Sequence, residues 1–216
     1  MYDVQEKIKL KQKGIALILS SPSGAGKSSM AQALIKDHPN FSLSVSVTTR
    51  APRPGEIDGK HYHFKSEDAF LKLQRDEAFI ESARVFGHYY GTLRAPVEKA
   101  LQDGKDIIFD IDWQGTQQLI QKIKPDVVSV FLLPPSLKEL ENRLYKRAQD
   151  QEYIILERMN KAIAEISHWP EYDYVLINDH FEETVQAVYG IVESEKRRRR
   201  RQIGLDSFIK TLVDPA

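Results

Sequence analysis

Residues 15–19, Ile-Ala-Leu-Ile-Leu, run straight into Ser20-Ser21-Pro22-Ser23-Gly24-Ala25-Gly26-Lys27-Ser28-Ser29, and a helix-forming segment follows. An apolar run, a glycine-rich turn and a helix in that order read as strand, tight loop and helix, the unit from which parallel α/β sheets are built. The turn chemistry adds a ligand. Gly24 and Gly26 let the backbone curl so that successive N–H groups point inward, Lys27 reaches the outer phosphates of a nucleotide, and the Ser28 hydroxyl can hold Mg²⁺. The helix, expected over about residues 27–36, adds the positive end of its dipole. The Walker pattern G-x-x-x-x-G-K-[ST] has glycine where this chain has Ser21, but the amides nearest the phosphates come later. A nucleoside triphosphate is the expected ligand. The loop alone does not separate a kinase from a hydrolase, a switch or a pump.

The 216 residues, 41% of them hydrophobic, suffice for one domain with inserted subdomains. There is no cysteine, which removes disulfides and thiolate metal sites and suits a reducing cytosol, so a cytoplasmic protein is expected. Residues 1–13 are charged and lack a long apolar stretch, and read as a loosely ordered extension rather than a signal peptide or membrane span. Charge balances at 31 basic against 31 acidic residues, yet residues 196–201 are all basic. That run reads as a nucleic-acid contact or as the solvated last turn of a helix. No aromatic residue interleaves it, which weighs against nucleic acid and leaves the helix end as the expectation. His61, His63 and His88 invite a metal reading that no nearby carboxylate or thiol pattern completes.

Residues 107–111, 127–133 and 174–177 are further apolar runs of strand length, which predicts a parallel sheet. Residues 41–47 alternate strictly, placing the serines on one face. Residues 50–59 read as a loop, 60–64 as a short strand and 67–75 as a helix capped by Ser66. Pro96 suits the first turn of a helix ending at Gly104. Ser136-Leu137-Lys138-Glu139 has the capping-box form and launches a helix with Leu137, Leu140 and Leu144 on one face. A second helix is expected from 152 to about 168, and a final one from 182 to about 200 closes the chain. Between the first and third apolar strands lies a polar block: Ser46, Thr48, Thr49, Arg50, Arg53, Tyr62, Glu81, Tyr89, Tyr90 and Thr92. Arg50 and Arg53 flank a proline-restricted turn, and two guanidinium forks suit phosphate oxygens. Asp110 and Asp112 end an apolar strand on one side of it, at the edge where doubly wound sheets bind ligands.

The segments SPSGAGKSS, SVTTRAPRPGEIDGKHYHF, FIESARVFGHYYGT, IIFDIDWQG and PPSLKELENRLYKR, in this order and spacing, resemble the guanylate kinases, from about residue 14 to the final helix. The resemblance implies an α/β P-loop NTPase fold with a central parallel sheet flanked by helices. It divides the chain into an extension (1–13), a core (14–45, 96–135 and 169–210), an inserted mixed α/β GMP-binding subdomain (46–95) and a helical lid (136–168). It implies transfer of the ATP γ-phosphate to GMP, with dGMP a second acceptor, serving GTP and dGTP supply and GMP recycling. Mg²⁺ is the implied cofactor, held by Ser28 and, through water, by Asp110. ATP would meet Ser23, Gly24, Ala25, Gly26, Lys27, Ser28, Ser29, Arg143 and Asn178. Ser46, Glu81, Thr92 and Asp112 match the readers of guanine; Arg50, Arg53, Tyr62 and Tyr90 match those holding the GMP phosphate. Lys27, Arg50, Arg147 and Arg158 match the catalytic set.

The chemistry fits independently, since guanine presents two donors, N1–H and the exocyclic amine, for which carboxylates are the acceptors. One departure stands in the lid, where the family commonly shows R-G-T-D and this chain has Arg147-Ala148-Gln149-Asp150. The rival reading is a non-catalytic guanylate-kinase-like module that binds phosphopeptides. Such modules usually lose the loop lysine or the lid arginines, and Lys27, Ser28, Arg147 and Arg158 are present. The implied partners are ATP and GMP or dGMP, with no membrane and no nucleic acid; a homodimer stays open.

Overall fold

The computed structural model describes residues 10–85, 87–147 and 152–213, with the backbone alone for 146, 147 and 152–154. Most of the expected extension, the Ala148-Gln149 departure and the Arg147 side chain therefore lie outside the described residues. After a two-residue strand β1 (Lys11–Gln12) the chain enters β2 (Ala16–Ser20), all of it buried. Side chains alternate between its faces: Leu17 and Leu19 pack with Met30 and Leu34, whereas Ala16 and Ile18 pack with Phe109 and Leu119. A strand buried on both faces belongs inside a parallel sheet.

Helix α1 (Lys27–Asp37) returns the chain to β3 (Phe41–Leu43). A second unit follows, made of β4 (Val47–Thr48), β5 (His63–Phe64), α2 (Glu67–Arg75), β6 (Phe79–Val85) and β7 (His88–Leu93). From there α3 (Arg94–Gln102) leads to β8 (Asp106–Asp110), then α4 (Trp113–Ile123) and β9 (Val127–Leu133). The remainder is α5 (Leu137–Arg147), α6 (Glu152–Ile166), β10 (Tyr174–Ile177), α7 (Phe181–Lys196), β11 (Gln202–Ile203) and α8 (Leu205–Val213).

The main sheet is parallel throughout, in the order β10-β9-β2-β8-β3. Helices α1 and α7 pack on one face, α3 and α4 on the other, which is the expected α/β architecture. The smaller sheet, β5-β4-β7-β6, is mixed: β4 runs parallel to β5 and antiparallel to β7. Phe70 of α2 covers it, stacked on Phe79 at 4.5 Å and Tyr89 at 5.3 Å. Ser66 caps α2 as expected, its hydroxyl accepting from the Ala69 N–H at 3.3 Å. Among the described residues no helix is long and apolar enough to cross a membrane.

Three expectations need correction. The alternation over 41–47 is not one strand: β3 ends at Leu43 in the main sheet and β4 begins at Val47 in the other. The intervening backbone serves both sheets, since the Ser44 N–H donates to Ile108 O at 2.9 Å and Ser46 O accepts from the His63 N–H at 2.9 Å. The strand expected over 60–64 shrinks to His63–Phe64, because the Gly59 N–H donates to Tyr62 O at 2.8 Å and closes a tight loop before it. The last expected helix stops at Lys196, and a short 3₁₀ turn, β11 paired antiparallel with β1, and α8 follow it.

The basic run spans that stop: residues 197–200 are exposed at the helix end, as expected, whereas its first and last members turn inward. Lys196 turns inward to the fully buried Asp106. That carboxylate also accepts from the Ile15 N–H at 3.0 Å and Asn40 Nδ2 at 2.9 Å. Arg201, only 1% exposed, donates to the carbonyls of Asp126 and Val127 at 3.3 Å, and its guanidinium lies 3.8 Å from the Glu195 carboxylate. Arg198 also pairs with Glu195, at 2.8 Å. The cluster thus ties the end of α7 to the strands beneath it.

Removing one partner of a buried ion pair leaves the other uncompensated. Asp106→Ala, which strands Lys196, Asn40 and the Ile15 N–H together, is expected to lower stability by about 3–5 kcal/mol. Asp106→Asn, which still offers an acceptor, should cost less. Urea midpoints at unchanged m-value measure both.

Candidate functional site

Parallel pairing brings the ends of β2 and β8 to one edge of the main sheet, with Leu19 opposite Asp110. The loop after β2 turns at Gly24 (φ 92°) and Gly26 (φ 101°), in the left-handed region that favours glycine. No side chain caps α1 at Gly26 and no acidic residue lies in its first turn, so its N-terminal amides and dipole remain available to an anion. Lys27 Nζ donates to Ile111 O at 3.1 Å and pairs with Asp110 Oδ1 at 3.0 Å. Ser28 Oγ donates to Asp110 Oδ2 at 2.7 Å. A hydroxyl beside a carboxylate is the hard-oxygen donor set that Mg²⁺ takes, so these residues fit the ion.

The loop is held from behind by Asn178, only 3% exposed. Its Nδ2 donates to Ala25 O at 2.8 Å, and its backbone carbonyl accepts from the Arg143 guanidinium at 3.4 Å. A Cβ on Gly26 would lie 2.7 Å from that Nδ2, a second reason for glycine there. Ala25 is itself buried in an apolar cluster with Leu140 and Leu144 of α5 and Ile155 and Ala162 of α6. Ser136 caps α5, accepting from the Glu139 N–H at 3.0 Å. From α6 the Glu165 carboxylate accepts the Ser23 N–H at 3.0 Å, an anion already seated on the loop.

Across the cavity, Thr92 Oγ1 donates to Glu81 Oε1 at 2.6 Å, and Ser46 Oγ lies 3.2 Å from Thr92 Oγ1. Burial pushes the Glu81 carboxyl up to about 6; the Thr92 bond opposes this and the nearby Asp112 charge adds to it. Asp112 is the N-cap of α4, its Oδ1 accepting from the N–H groups of Gln114 and Gly115 at 3.0 and 3.1 Å. Arg50 Nη2 donates to both Glu56 carboxylate oxygens, at 2.7 and 2.9 Å, and that carboxylate also accepts the Arg53 N–H at 2.7 Å. That pair raises the Arg50 pKa and lowers that of Glu56. Tyr62 stands edge-on to Tyr90, ring centroids 6.0 Å apart, with the Arg50 guanidinium 5.5 Å from the Tyr62 centroid.

One cavity of about 790 Å³ joins the two halves. Ser23, Gly24, Gly26, Lys27, Ser28 and Ser29 line one wall; Ser46, Arg53, Tyr62, Glu81 and Tyr90 line the other; Asp110 and Asp112 lie between them, and Arg158 comes from α6. His61 also lines it, and the other described residues of the expected nucleotide site are set back. Ala25 and Asn178 lie behind the loop, Thr92 behind Glu81, Arg50 against Glu56 and Arg143 against Glu139. Sequence reasoning passed over Glu56 and Glu165. The helical spacing of Arg158, Lys161 and Glu165 is the signal that could have found the latter, since residues three or four apart share a face.

The guanylate kinase family model matches residues 13–195. The chain is 54% identical over 208 residues to the guanylate kinase of Sphingopyxis alaskensis, covering 96% of this chain and 94% of that protein. Identity to the guanylate kinase of Paramagnetospirillum magneticum is 50% over 201 residues, 93% of this chain and 94% of that one. The crystal structure of guanylate kinase from Anaplasma phagocytophilum superposes with a TM-score of 0.79 at 38% identity, covering 94% of this chain and 97% of the other.

The Glu81 carboxyl gives a signed pH dependence. Its ordinary value is 4.5 and its folded value about 6, so the native state keeps the proton over that interval and stability falls as pH rises through it. Above it the ionised, buried carboxylate costs up to about 2 kcal/mol. Glu81→Gln should therefore be the more stable protein at pH 7.5, by about 1–2 kcal/mol, with the advantage gone near pH 4. Denaturant midpoints at the two pH values check this.

Proposed function

The chain belongs to the guanylate kinase family, and we propose how its own residues carry that reaction, transfer of the γ-phosphate of ATP to GMP to give ADP and GDP. The observation that supports the reading is the joining, in one cavity, of a glycine-rich loop bearing Lys27 and a wall bearing Glu81 and paired tyrosines, with Asp112 between them. The loop amides from Ser23 to Ser29 and Lys27 hold the donor phosphates, with Arg143 and Asn178 on the ATP side. Ser28 and, through water, Asp110 would hold Mg²⁺, which would supply positive charge to the transferring phosphates. In this reading residues 46–95 form the acceptor subdomain, 136–168 the lid, and 14–45, 96–135 and 169–210 the core.

Glu81 and Asp112 accept from N1–H and the exocyclic amine of guanine, with Ser46 and Thr92 orienting Glu81. Adenine has no donor at N1 and would leave a buried carboxylate unpaired, a mismatch worth about 10⁴–10⁵ in discrimination. Arg53, Tyr62, Tyr90 and Arg50, once Arg50 leaves Glu56, hold the GMP phosphate. None of these contacts requires the ribose 2′-hydroxyl, so dGMP is a second acceptor. The second pKa of a phosphate monoester is about 6, so the attacking oxygen is already ionised at pH 7 and needs no general base. It bonds to the γ-phosphorus in line as the bridging bond to the β-phosphate breaks, and ADP departs. Lys27, Arg50, Arg147 and Arg158 meet the charge spread over the transferring group. The peptide-binding alternative has no observation in its favour, since Lys27 and Ser28 stand assembled with Asp110.

Purified protein with ATP and Mg²⁺ is expected to phosphorylate GMP and dGMP, and AMP, UMP and CMP at least about 10⁴-fold less efficiently. Lys27→Ala should lower kcat by about 10²–10³. A coupled ADP-release assay reads both, and comparable rates with AMP would overturn the roles given to Glu81 and Asp112.

A further inference from the structure

Gln118 has no part in the roles above, yet both ends of its side-chain amide bond one peptide. Strand β6 is an edge of the smaller sheet. An edge strand presents N–H and C=O groups that no neighbouring strand can pair. At Ser82 both are taken by one side chain: the Ser82 N–H donates to Gln118 Oε1 at 3.0 Å, and Gln118 Nε2 donates to Ser82 O at 2.8 Å. A primary amide offers one acceptor and donors in nearly the geometry of a peptide. Gln118 therefore occupies the place of a further strand at this one position.

The location gives the bond pair its meaning. Gln118 lies on α4, the helix that begins at Asp112. Ser82 follows Glu81, and Ile80, which precedes it, is fully buried in the same apolar cluster as Leu119 of α4. The helix also passes close to the Glu81 carboxylate, for a Cβ on Gly115 would lie 3.2 Å from Oε2. One carboxylate is thus fixed at the start of α4 by the helix's own N–H groups. The other is fixed further along the same helix, gripped on one side by packing and on the other by the Gln118 amide.

We propose that Gln118 is a positioning residue for base selection: it holds the Ser82 peptide to α4 and so sets the spacing of Glu81 from Asp112, without touching substrate. This rests on the reading of those two carboxylates as guanine readers. Guanine meets them with two donors, N1–H and the exocyclic amine, whereas hypoxanthine has N1–H and lacks the amine. A fixed spacing rewards the base that satisfies both acceptors. With β6 free to shift along α4, one of the two contacts loosens, and GMP loses more than IMP does.

The experiment compares GMP and IMP as acceptors for the wild type, Gln118→Met and Gln118→Glu, with thermal unfolding followed in parallel. Gln118→Met keeps the length and removes both bonds; Gln118→Glu keeps the acceptor for the Ser82 N–H and loses the donor to its carbonyl. In Gln118→Met the KM for GMP should rise about tenfold and the GMP-to-IMP ratio of kcat/KM fall about tenfold, roughly the loss of one such hydrogen bond. The KM for ATP should stay within about twofold, with Gln118→Glu intermediate. Asp106→Asn serves as the control for plain destabilisation and should unfold earlier with its GMP-to-IMP ratio intact. If Gln118→Met does not fold, Gln118→Glu decides alone: a reduced ratio supports the assignment. An unchanged ratio and GMP KM in the folded variants overturn it, even if they melt earlier. A wild type that does not phosphorylate GMP overturns the underlying reading instead.

Discussion

Strand β2 pairs in parallel with β8 on one side and β9 on the other, and everything at the site hangs on that register. Parallel neighbours must end on the same edge, so the loop that leaves β2 and the carboxylates that end β8 cannot avoid each other. Asp110 then holds Lys27 with one oxygen and Ser28 with the other. A shift of one residue in β8 would turn that carboxylate to the opposite face and break both contacts. The apolar side chains of β2, buried on both faces, make such a shift costly, which is how an unremarkable hydrophobic run governs the polar chemistry at its end.

What could be read from sequence was local or covalently ordered. The strands at 15–19, 107–111 and 127–133 are predominantly apolar runs, and the caps at Ser66 and Ser136 follow from a hydroxyl three residues before the amide it serves. The failures concern contacts across long stretches of chain. Nothing near Lys196 or Arg201 announces that they turn inward, to Asp106 and to the carbonyls of Asp126 and Val127, while the four cations between them stay exposed. The alternation over 41–47 was a true signal wrongly joined, because the break into two sheets depends on Ile108 and His63, far along the chain. In the site, the motif residues were legible as a set, but the present engagement of Arg50 with Glu56 and of Ser23 with Glu165 was not.

The site also shows where stability has been given up. Glu81 is almost fully buried as an acid, with one hydroxyl bond to offset the loss of water, and Asn178 Oδ1 is buried with no hydrogen-bond partner among the described residues. A core chosen only for stability would hold neither group. Both border the cavity or its loop, whereas Asp106 and Glu195, equally buried, are matched by cations.

Glu165 at the cavity wall and Glu56 just behind it place two anions of the chain's own on the Ser23 amide and on Arg50. If these groups bind phosphate as proposed, an incoming phosphate exchanges with a carboxylate rather than filling a bare positive site. Apparent affinity is the intrinsic affinity scaled by the fraction of molecules in which the internal competitor has let go. Small inorganic anions bring little beyond their charge and displace such a competitor poorly. A nucleotide brings its base and sugar to the same contest, so tethered carboxylates act as a sieve that favours ligands with more than one handle.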